Sequence, residues 1–475
     1  MIHLPAQRSK IVCTIGPASD HAQTLEHMIR AGMNIARLNL AHGTPDEHRA
    51  RITRIRSAAA RVDQRVAILA DLPGPKIRIG ILPTPVTLKH GGHVLLAPNA
   101  PGTAEQIPLE LPRLSHPLTK GDTVFMNDGF IELRVESHDT QGIHCQVIVG
   151  GVLLSHKGVN LPGVTLEGGA VTAADRELLA FALEAGVDAL SVSFVETAED
   201  IHTARREAQA LGYAPFMVAK IERAQAWQDI DAIIAATDGI MVARGDLGVE
   251  VAIEQIALIQ KRLIRKARAA GKPVITATQM LESMVHQRRP TRAEVTDVAN
   301  AILDGTDCVM LSEESAMGEY PVEAVKMLAK IAHITESSRS ELSPLDDEDF
   351  QDTPTVESLI ARNVQSSAES LHPLFVVTPT ETGTTAARIA RFRLAPWILA
   401  LSPHHQTCQR LCFHYGVHAL EMPSPEQGWE HGVRRWLVTH GYEKGLILLT
   451  QGPSRHHPGG TNRLEIIRLE APTNP

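Results

Sequence analysis

Short apolar runs alternate along the chain with stretches of helical periodicity. Eight runs stand out: Lys10–Pro17, Met33–Ala41, Val66–Gly74, Ala189–Val195, Pro215–Glu222, Gly239–Leu247, Pro273–Met280 and Cys308–Ala316. Continuous hydrophobicity marks strands buried on both faces, and strand–helix alternation implies a parallel sheet. The pattern predicts an α/β protein built on a (β/α)8 TIM barrel. In such a barrel the groups at the carboxyl ends of the strands face one pocket. Those ends carry Arg37 and Asn39, then Asp71, Ser193, Lys220 with Glu222, Asp246, Thr278, and Ser312 with Glu314.

The alternation breaks after the third run. Between residues 81 and 162 the chain offers short strand-like pieces separated by Gly and Pro: Val86–Leu88, His93–Leu96, Thr123–Met126, Phe130–Glu136 and His144–Val149. Frequent turn signals between short strands predict an inserted all-β domain, placed over the mouth of the barrel as a lid. The helical pattern resumes at Thr172, with Leu178, Leu179, Ala182 and Leu183 as its apolar face. Thr291-Arg292-Ala293-Glu294 reads as a capping box before another helix. The barrel is therefore expected over residues 1–80 and 163–340. An acidic, proline-containing linker is expected at 341–355, and a smaller α/β domain at 356–475. Its strands are expected at Leu374–Thr378, Trp397–Leu401, Gly445–Thr450 and Leu464–Leu469.

Composition narrows the function. Of 475 residues, 43% are hydrophobic and 21% charged, enough for a sizeable core. The net charge of −8 and the lack of a basic stretch speak against nucleic acid as the main partner. Five cysteines in so long a chain do not make a disulfide framework. No secretory apolar stretch is expected at the start, and no window approaches the ~20 apolar residues of a membrane span. A soluble protein of a reducing cytoplasm is expected, with neither nucleic acid nor membrane as partner.

Alternate residues of a strand project together, so Lys220 and Glu222 share a face. A cation beside a carboxylate suits metal-assisted phosphoryl transfer: the Lys offsets charge on the moving group and the Glu holds Mg2+. Asp246, ending the next run, supplies a second carboxylate for the same ion. With both acids at adjacent strand ends, that reading outweighs a structural ion pair. Gly245 and Gly248 let the backbone come close to an anion. Thr278 brings a hydroxyl with no acid strength of its own, and a threonine bonded to backbone is the simpler account of it alone. Arg37 suits a bidentate phosphate contact. Asp71 either pairs with Arg37, bracing the barrel, or coordinates a monovalent cation. Neither GxxxxGK[ST] nor a GxGxxG after a strand occurs. Cys408 and Cys412, with His404, His405 and His414 nearby, match no strong zinc spacing and read as a helix face.

Several long blocks resemble the pyruvate kinase family in the same order: Lys10–Pro17, Gly32–Gly43, Lys157–Gly163, Asp238–Glu250, Lys272–Met284 and Pro290–Asp304. The resemblance runs almost end to end. It implies phosphoryl transfer from phosphoenolpyruvate to ADP, giving ATP, and then protonation of the enolate to pyruvate. By similarity Lys220 stabilises the transition state, and Glu222 and Asp246 ligate Mg2+ or Mn2+. Gly245, Asp246, Thr278 and Ser193 hold the substrate, with Thr278 near the carbon that gains the proton. Arg37 contacts the phosphoryl group, while Arg78, Lys157, Asn39 and His42 face the nucleotide. Asn39 and Asp71 match positions that bind potassium in many members. Thr382, Gly383, Thr384 and Thr385 sit where members hold an effector phosphate, although an ordinary strand-to-helix turn accounts for them too. Members are usually tetrameric and often allosterically regulated.

Three departures from the family pattern matter. Ala41 replaces a serine, removing a hydroxyl ligand for potassium. Lys76 stands where an acid is usual, as in the potassium-independent branch, and its ammonium can take the place of a monovalent cation. Activity without potassium is therefore expected. Glu313 replaces a glycine, so backbone strain of about 1–2 kcal/mol is expected there if the position needs a positive φ. Two rivals are a regulatory protein on this fold that binds phosphorylated metabolites without turnover, and a lyase on a similar barrel. The intact Lys220, Glu222, Asp246 and Thr278 disfavour the first; the β insert and the Lys157 motif disfavour the second.

Overall fold

The structure is a computed structural model that describes residues 4–111, 114–165, 167–339, 355–426, 428–452 and 460–469. The eight apolar runs form eight parallel strands that close into a barrel. They are β1 (Lys10–Thr14), β2 (Met33–Asn39), β3 (Ala67–Asp71), β4 (Ala189–Val192), β5 (Phe216–Ile221), β6 (Gly239–Ala243), β7 (Val274–Ala277) and β8 (Cys308–Leu311). Each strand pairs with its neighbours in the chain, and β8 closes on β1. Thr172 and Thr291 make capping boxes that open the helices Ala173–Glu184 and Arg292–Asp304. Leu179, Ala182 and Leu183 of the first are buried between helix and barrel.

The strands stop sooner than the apolar runs. After β6 the chain turns at once into a helix, Arg244–Glu250, so the second half of that run is not strand. After β7, Thr278 and Gln279 take φ of +69° and +55° and lead the chain away from the sheet. Hydrophobicity tracks burial, and these turns remain buried: Val195, Met280 and Ser315 have no exposed surface.

The insert between β3 and β4 is all-β, with a seven-stranded sheet and a separate two-stranded one. It packs a core of its own around Leu96, Val124, Leu133 and Val147. Ile77–Arg78, Gln106–Pro108, Gly151–Leu153 and Gly158–Asn160, each of only two or three residues, were not anticipated. Ile77–Arg78 and Gly158–Asn160, where the chain enters and leaves the insert, pair with each other. The insert thus rises from the carboxyl end of β3, the end where the candidate groups gather. Its hairpin tip runs through Asn127, Asp128 and Gly129, all at positive φ. That tip rests on the Arg244–Glu250 helix: a Cβ on Gly129 would lie 3.3 Å from Val249 Cγ2.

The acidic segment expected as a linker lies outside the described residues except for Thr355, which caps the helix Val356–Leu371. Beyond it stands a five-stranded sheet. Its strands are β9 (Phe375–Pro379), β10 (Trp397–Ser402), β11 (Val417–Glu421), β12 (Gly445–Gln451) and β13 (Arg463–Leu469), in the order β11-β10-β9-β12-β13. Only β13 is antiparallel to its neighbour. β11 was not anticipated, because His418 interrupts its apolar run.

This C-terminal unit closes the other end of the barrel. Phe413, fully buried, joins Val12, Ile35, Leu69, Val218, Met241 and Ile275 in the barrel interior and stacks on Phe216 at 5.0 Å. Lys10, the first residue of β1, donates to the Val417 carbonyl at 2.7 Å. Arg393 pairs with Asp307 at 2.7 Å beneath β8. Removing a buried Phe side chain costs about 3–5 kcal/mol. Phe413→Ala should therefore lower the denaturant midpoint of the barrel itself, read by urea unfolding monitored by circular dichroism; an unchanged midpoint would mean that Phe413 does not support the barrel.

Candidate active site

The strand ends gather a balanced set of charges. Lys220 Nζ lies 2.7 Å from Ser193 Oγ, 2.9 Å from Glu222 Oε1 and 3.4 Å from Asp71 Oδ1. Arg37 grips Asp71 Oδ2 through both Nε, at 2.9 Å, and Nη2, and donates to Thr14 Oγ1 at 2.9 Å. Ser191 donates to Asp71 Oδ1 at 2.6 Å, and Ser193 donates to the Leu72 carbonyl at 2.6 Å. Both carboxylates are almost wholly inaccessible: Glu222 is 1% exposed and Asp71 2%. Of the two alternatives for Asp71, the pairing with Arg37 is present, with Lys220 as a further partner.

Burial would raise the Asp71 pKa, but Lys220, Arg37 and the Ser191 hydroxyl outweigh it and hold the carboxyl below its ordinary value. Burial would lower that of Lys220, and Asp71 with Glu222 reverse the effect, so the ammonium stays charged. For Glu222, burial prevails over Lys220, and the nearby Asp246 pushes the same way, so its pKa is raised. The Phe194 amide donates to Glu222 Oε2 at 2.7 Å. Phe194 sits at φ +56°, a costly conformation for a non-glycine residue that this bond helps to hold.

Asp246 reaches the same mouth from the first turn of the Arg244–Glu250 helix. Its Oδ1 lies 3.0 Å from Lys76 Nζ. The Lys76 ammonium therefore sits on the second acid, whereas Asp71 is taken by Arg37, Ser191 and Lys220. Gly74 shapes the loop that delivers Lys76: its φ is +66°, and a Cβ there would come within 2.9 Å of the Phe194 ring. Thr278 Oγ1 accepts from the Gly245 amide at 2.8 Å and donates to the Ala277 carbonyl at 2.6 Å. Arg244 holds this corner, donating to the Ala277 and Thr278 carbonyls at 3.1 and 2.7 Å.

Asn39 lies opposite Asp71 in the β2–β3 register, and its Oδ1 accepts from the Ala41 amide at 3.2 Å. His42 is exposed just beyond, its carbonyl 2.8 Å from the His48 ring. Arg78 and Lys157 stand at the root of the insert, where Arg78 pairs with Gly158 in register and donates to the His156 carbonyl at 3.0 Å. Glu314 accepts from the Leu281 and Ser312 amides at 3.0 and 2.7 Å and so joins the loops after β7 and β8. Glu313 needs no positive φ: it opens the short helix Glu313–Ala316 and is exposed, so the strain considered from the sequence is absent.

Thr382, Gly383, Thr384 and Thr385 lie apart, after β9 of the C-terminal sheet. The Thr382 and Thr384 hydroxyls are 2.9 Å apart, the Gly383 amide donates to Thr380 Oγ1 at 2.8 Å, and Thr385 bonds Thr461 at 2.6 Å. His404 and His405 face Glu381 and Glu421 at 2.6 and 2.9 Å, while Cys408 and Cys412 are buried.

Sequence reasoning missed Ser191, Phe194, Arg244 and Arg223. Arg223 follows Glu222, and its guanidinium lies 3.1 Å from Glu250 and 3.2 Å from Glu196. An arginine beside a candidate metal ligand was the only signal available, and nothing local distinguishes it from a surface cation.

The family model described as pyruvate kinase, barrel domain, matches residues 6–325, and that of the pyruvate kinase alpha/beta domain matches residues 358–467. The chain is 44% identical to the pyruvate kinase of Thermococcus litoralis, covering 98% of this chain and 100% of that one. It is 40% identical to pyruvate kinase 2 of Synechocystis, over 98% of this chain and 80% of the relative. It is also 40% identical to the Geobacillus stearothermophilus pyruvate kinase, over 97% and 80%.

Burial pushes the Glu250 carboxyl up from 4.5 to about 7, with Arg223 opposing. A folded-state pKa above the unfolded one means that the folded protein binds the extra proton. Stability from this group is then complete below about 4.5, declines as pH rises towards about 7, and is flat above. Glu250→Gln should flatten that decline. Urea midpoints of both proteins at pH 5 and pH 8 test this, and an identical pH dependence in the two would refute it.

Proposed function

The chain belongs to the pyruvate kinase family, and on that premise we propose that it transfers a phosphoryl group from phosphoenolpyruvate to ADP with Mg2+ and without potassium. The observation that carries this reading is the Lys220 ammonium, fixed between Ser193, Glu222 and Asp71 at the strand ends. An ammonium so confined has its charge in place before substrate arrives. It can offset charge on the migrating group without reorganising. Arg37, anchored on Asp71, presents its remaining donors to the same group. Ser193 positions Lys220.

Glu222 and Asp246 fit a hard cation: both donors are carboxylate oxygens, each now matched by an ammonium at 2.9 and 3.0 Å. Among the described residues no group of three or more His, Cys, Asp or Glu side chains could hold a metal. The remaining positions would fall to substrate oxygens and water, the mode that Mg2+ favours and Mn2+ can adopt. When bound, the ion supplies positive charge to the phosphoryl oxygens. The Gly245–Asp246 backbone and Thr278 hold the substrate. The Thr278 hydroxyl, bonded between the Gly245 amide and the Ala277 carbonyl, passes a proton to the enolate carbon only with water or a neighbour to replace it. Arg78, Lys157, Asn39 and His42 are assigned to the nucleotide, and the insert acts as the lid.

Two features favour independence from potassium. Lys76 places a fixed positive charge on Asp246, and Asp71 already has Arg37 and Lys220 as partners. The Thr382–Thr385 turn is assigned to a phosphorylated effector and the assembly to a homotetramer, both by family resemblance. No helix among the described residues is long and apolar enough to cross a membrane, and all five cysteines are free and buried, which suits a reducing cytoplasm.

Lys220→Met, still folded though less stable, should lose turnover by roughly 10²–10³-fold or more, since a charge acting in the transition state is worth a few kcal/mol. A coupled assay of pyruvate release reads this, and turnover like that of the parent would show Lys220 to be misassigned. In the same assay with Mg2+, adding potassium should leave the rate unchanged; a requirement for it would refute the role given to Lys76.

A further inference from the structure

Arg223 touches none of the reacting groups, yet its buried guanidinium joins four parts of the barrel mouth. It follows Glu222 at the end of β5. Its Nη1 lies 3.1 Å from Glu250 Oε1, its Nη2 3.2 Å from Glu196 Oε1, and Nη2 also donates to the Val164 carbonyl. Glu250 is the last residue of the helix that carries Gly245 and Asp246, and Glu196 lies in the loop after β4. Val164 lies where the chain returns from the insert to the barrel.

The insert therefore meets the Arg244–Glu250 helix in two places. Its hairpin tip rests on Val249, and its return segment reaches Glu250 through Arg223. Asp246 lies about one turn back from these contacts, and the i→i−4 hydrogen bonding of the helix links that turn to them. A displacement of the insert that pulls on Val249 and Glu250 thus carries the Asp246 carboxylate with it. The other acid, Glu222, is held separately by the Phe194 amide and Lys220.

We propose that Arg223 is a positioning residue that couples the place of the β insert to the spacing of the Glu222–Asp246 pair. The pair is set for a divalent ion when the insert rests on the helix, and is loosened when it lifts. This rests on the assignment of Glu222 and Asp246 as metal ligands. A brace that served stability alone would leave metal affinity untouched in any variant that still folds.

The test uses full-length Arg223→Met, Glu250→Ala and Glu250→Gln proteins. Mn2+ binding is measured by electron paramagnetic resonance without substrate, and amide hydrogen exchange is followed in residues 160–165 and 245–250. Loss of a residue that orients metal ligands typically weakens affinity by about 10–100-fold. Arg223→Met and Glu250→Ala should weaken Mn2+ binding in that range. Exchange should quicken in both segments together. Glu250→Gln, whose amide oxygen still accepts from Nη1, should stay near the parent. Unaltered Mn2+ affinity in folded Glu250→Ala, or faster exchange in one segment only, would overturn the coupling. Should Arg223→Met fail to fold, the Glu250 pair decides alone. A parent protein that binds no Mn2+ would instead bring down the metal assignment itself, so the two failures are told apart.

Discussion

The Asp71 carboxylate lies between Arg37 and Lys220 at the floor of the candidate pocket, and the arrangement around it depends on that contact. An ion buried this deeply survives only when paired and hydrogen-bonded, and breaking such a pair commonly costs about 3–5 kcal/mol. Here two cations face two carboxylates, with Ser191 and Ser193 filling remaining valences. No member can be removed without leaving another uncompensated. The groups come from β2, β3, β4 and β5, so the closed strand order is what brings them within reach.

Much of this was legible in the chain because strand ends obey a period of two. Lys220 and Glu222 project together for that reason, and the parallel strands with their capped helices could be read from apolar runs and capping boxes. Other features were not legible, for identifiable reasons. Lys76 and Asp246 meet across 170 residues of sequence, through a loop whose shape depends on a glycine at positive φ. Phe194 and Thr278 adopt positive φ without being glycine, so residue type gave no signal. The second half of the Gly239–Leu247 run became helix because burial, which the sequence does report, is not the same as extended backbone. Arg223 found its three partners on separate elements, a coincidence that no local pattern encodes.

The two halves of the mouth differ in how they are held. On the β2–β5 side, the polar groups grip one another directly across adjacent strands. On the β6–β7 side, short turns are secured by Arg244, by Glu314 and by the contacts of the Arg244–Glu250 helix with the insert. On the first side Arg37, Asp71, Ser191 and Lys220 are strand residues, and Ser193 and Glu222 lie one position beyond their strand ends. The second takes its geometry in part from chain that is not itself barrel, the β insert included.

The phenylalanine that closes the opposite end of the barrel comes from far along the chain. Its carbonyl accepts from the Cys308 thiol across 105 residues. All eight strands therefore leave the ribosome before the residue that fills their floor has been made. Until it arrives, the nascent barrel presents an open apolar socket, the kind of surface that invites misassembly or chaperone capture. The order of synthesis thus makes the later of these two domains the one that seals the earlier.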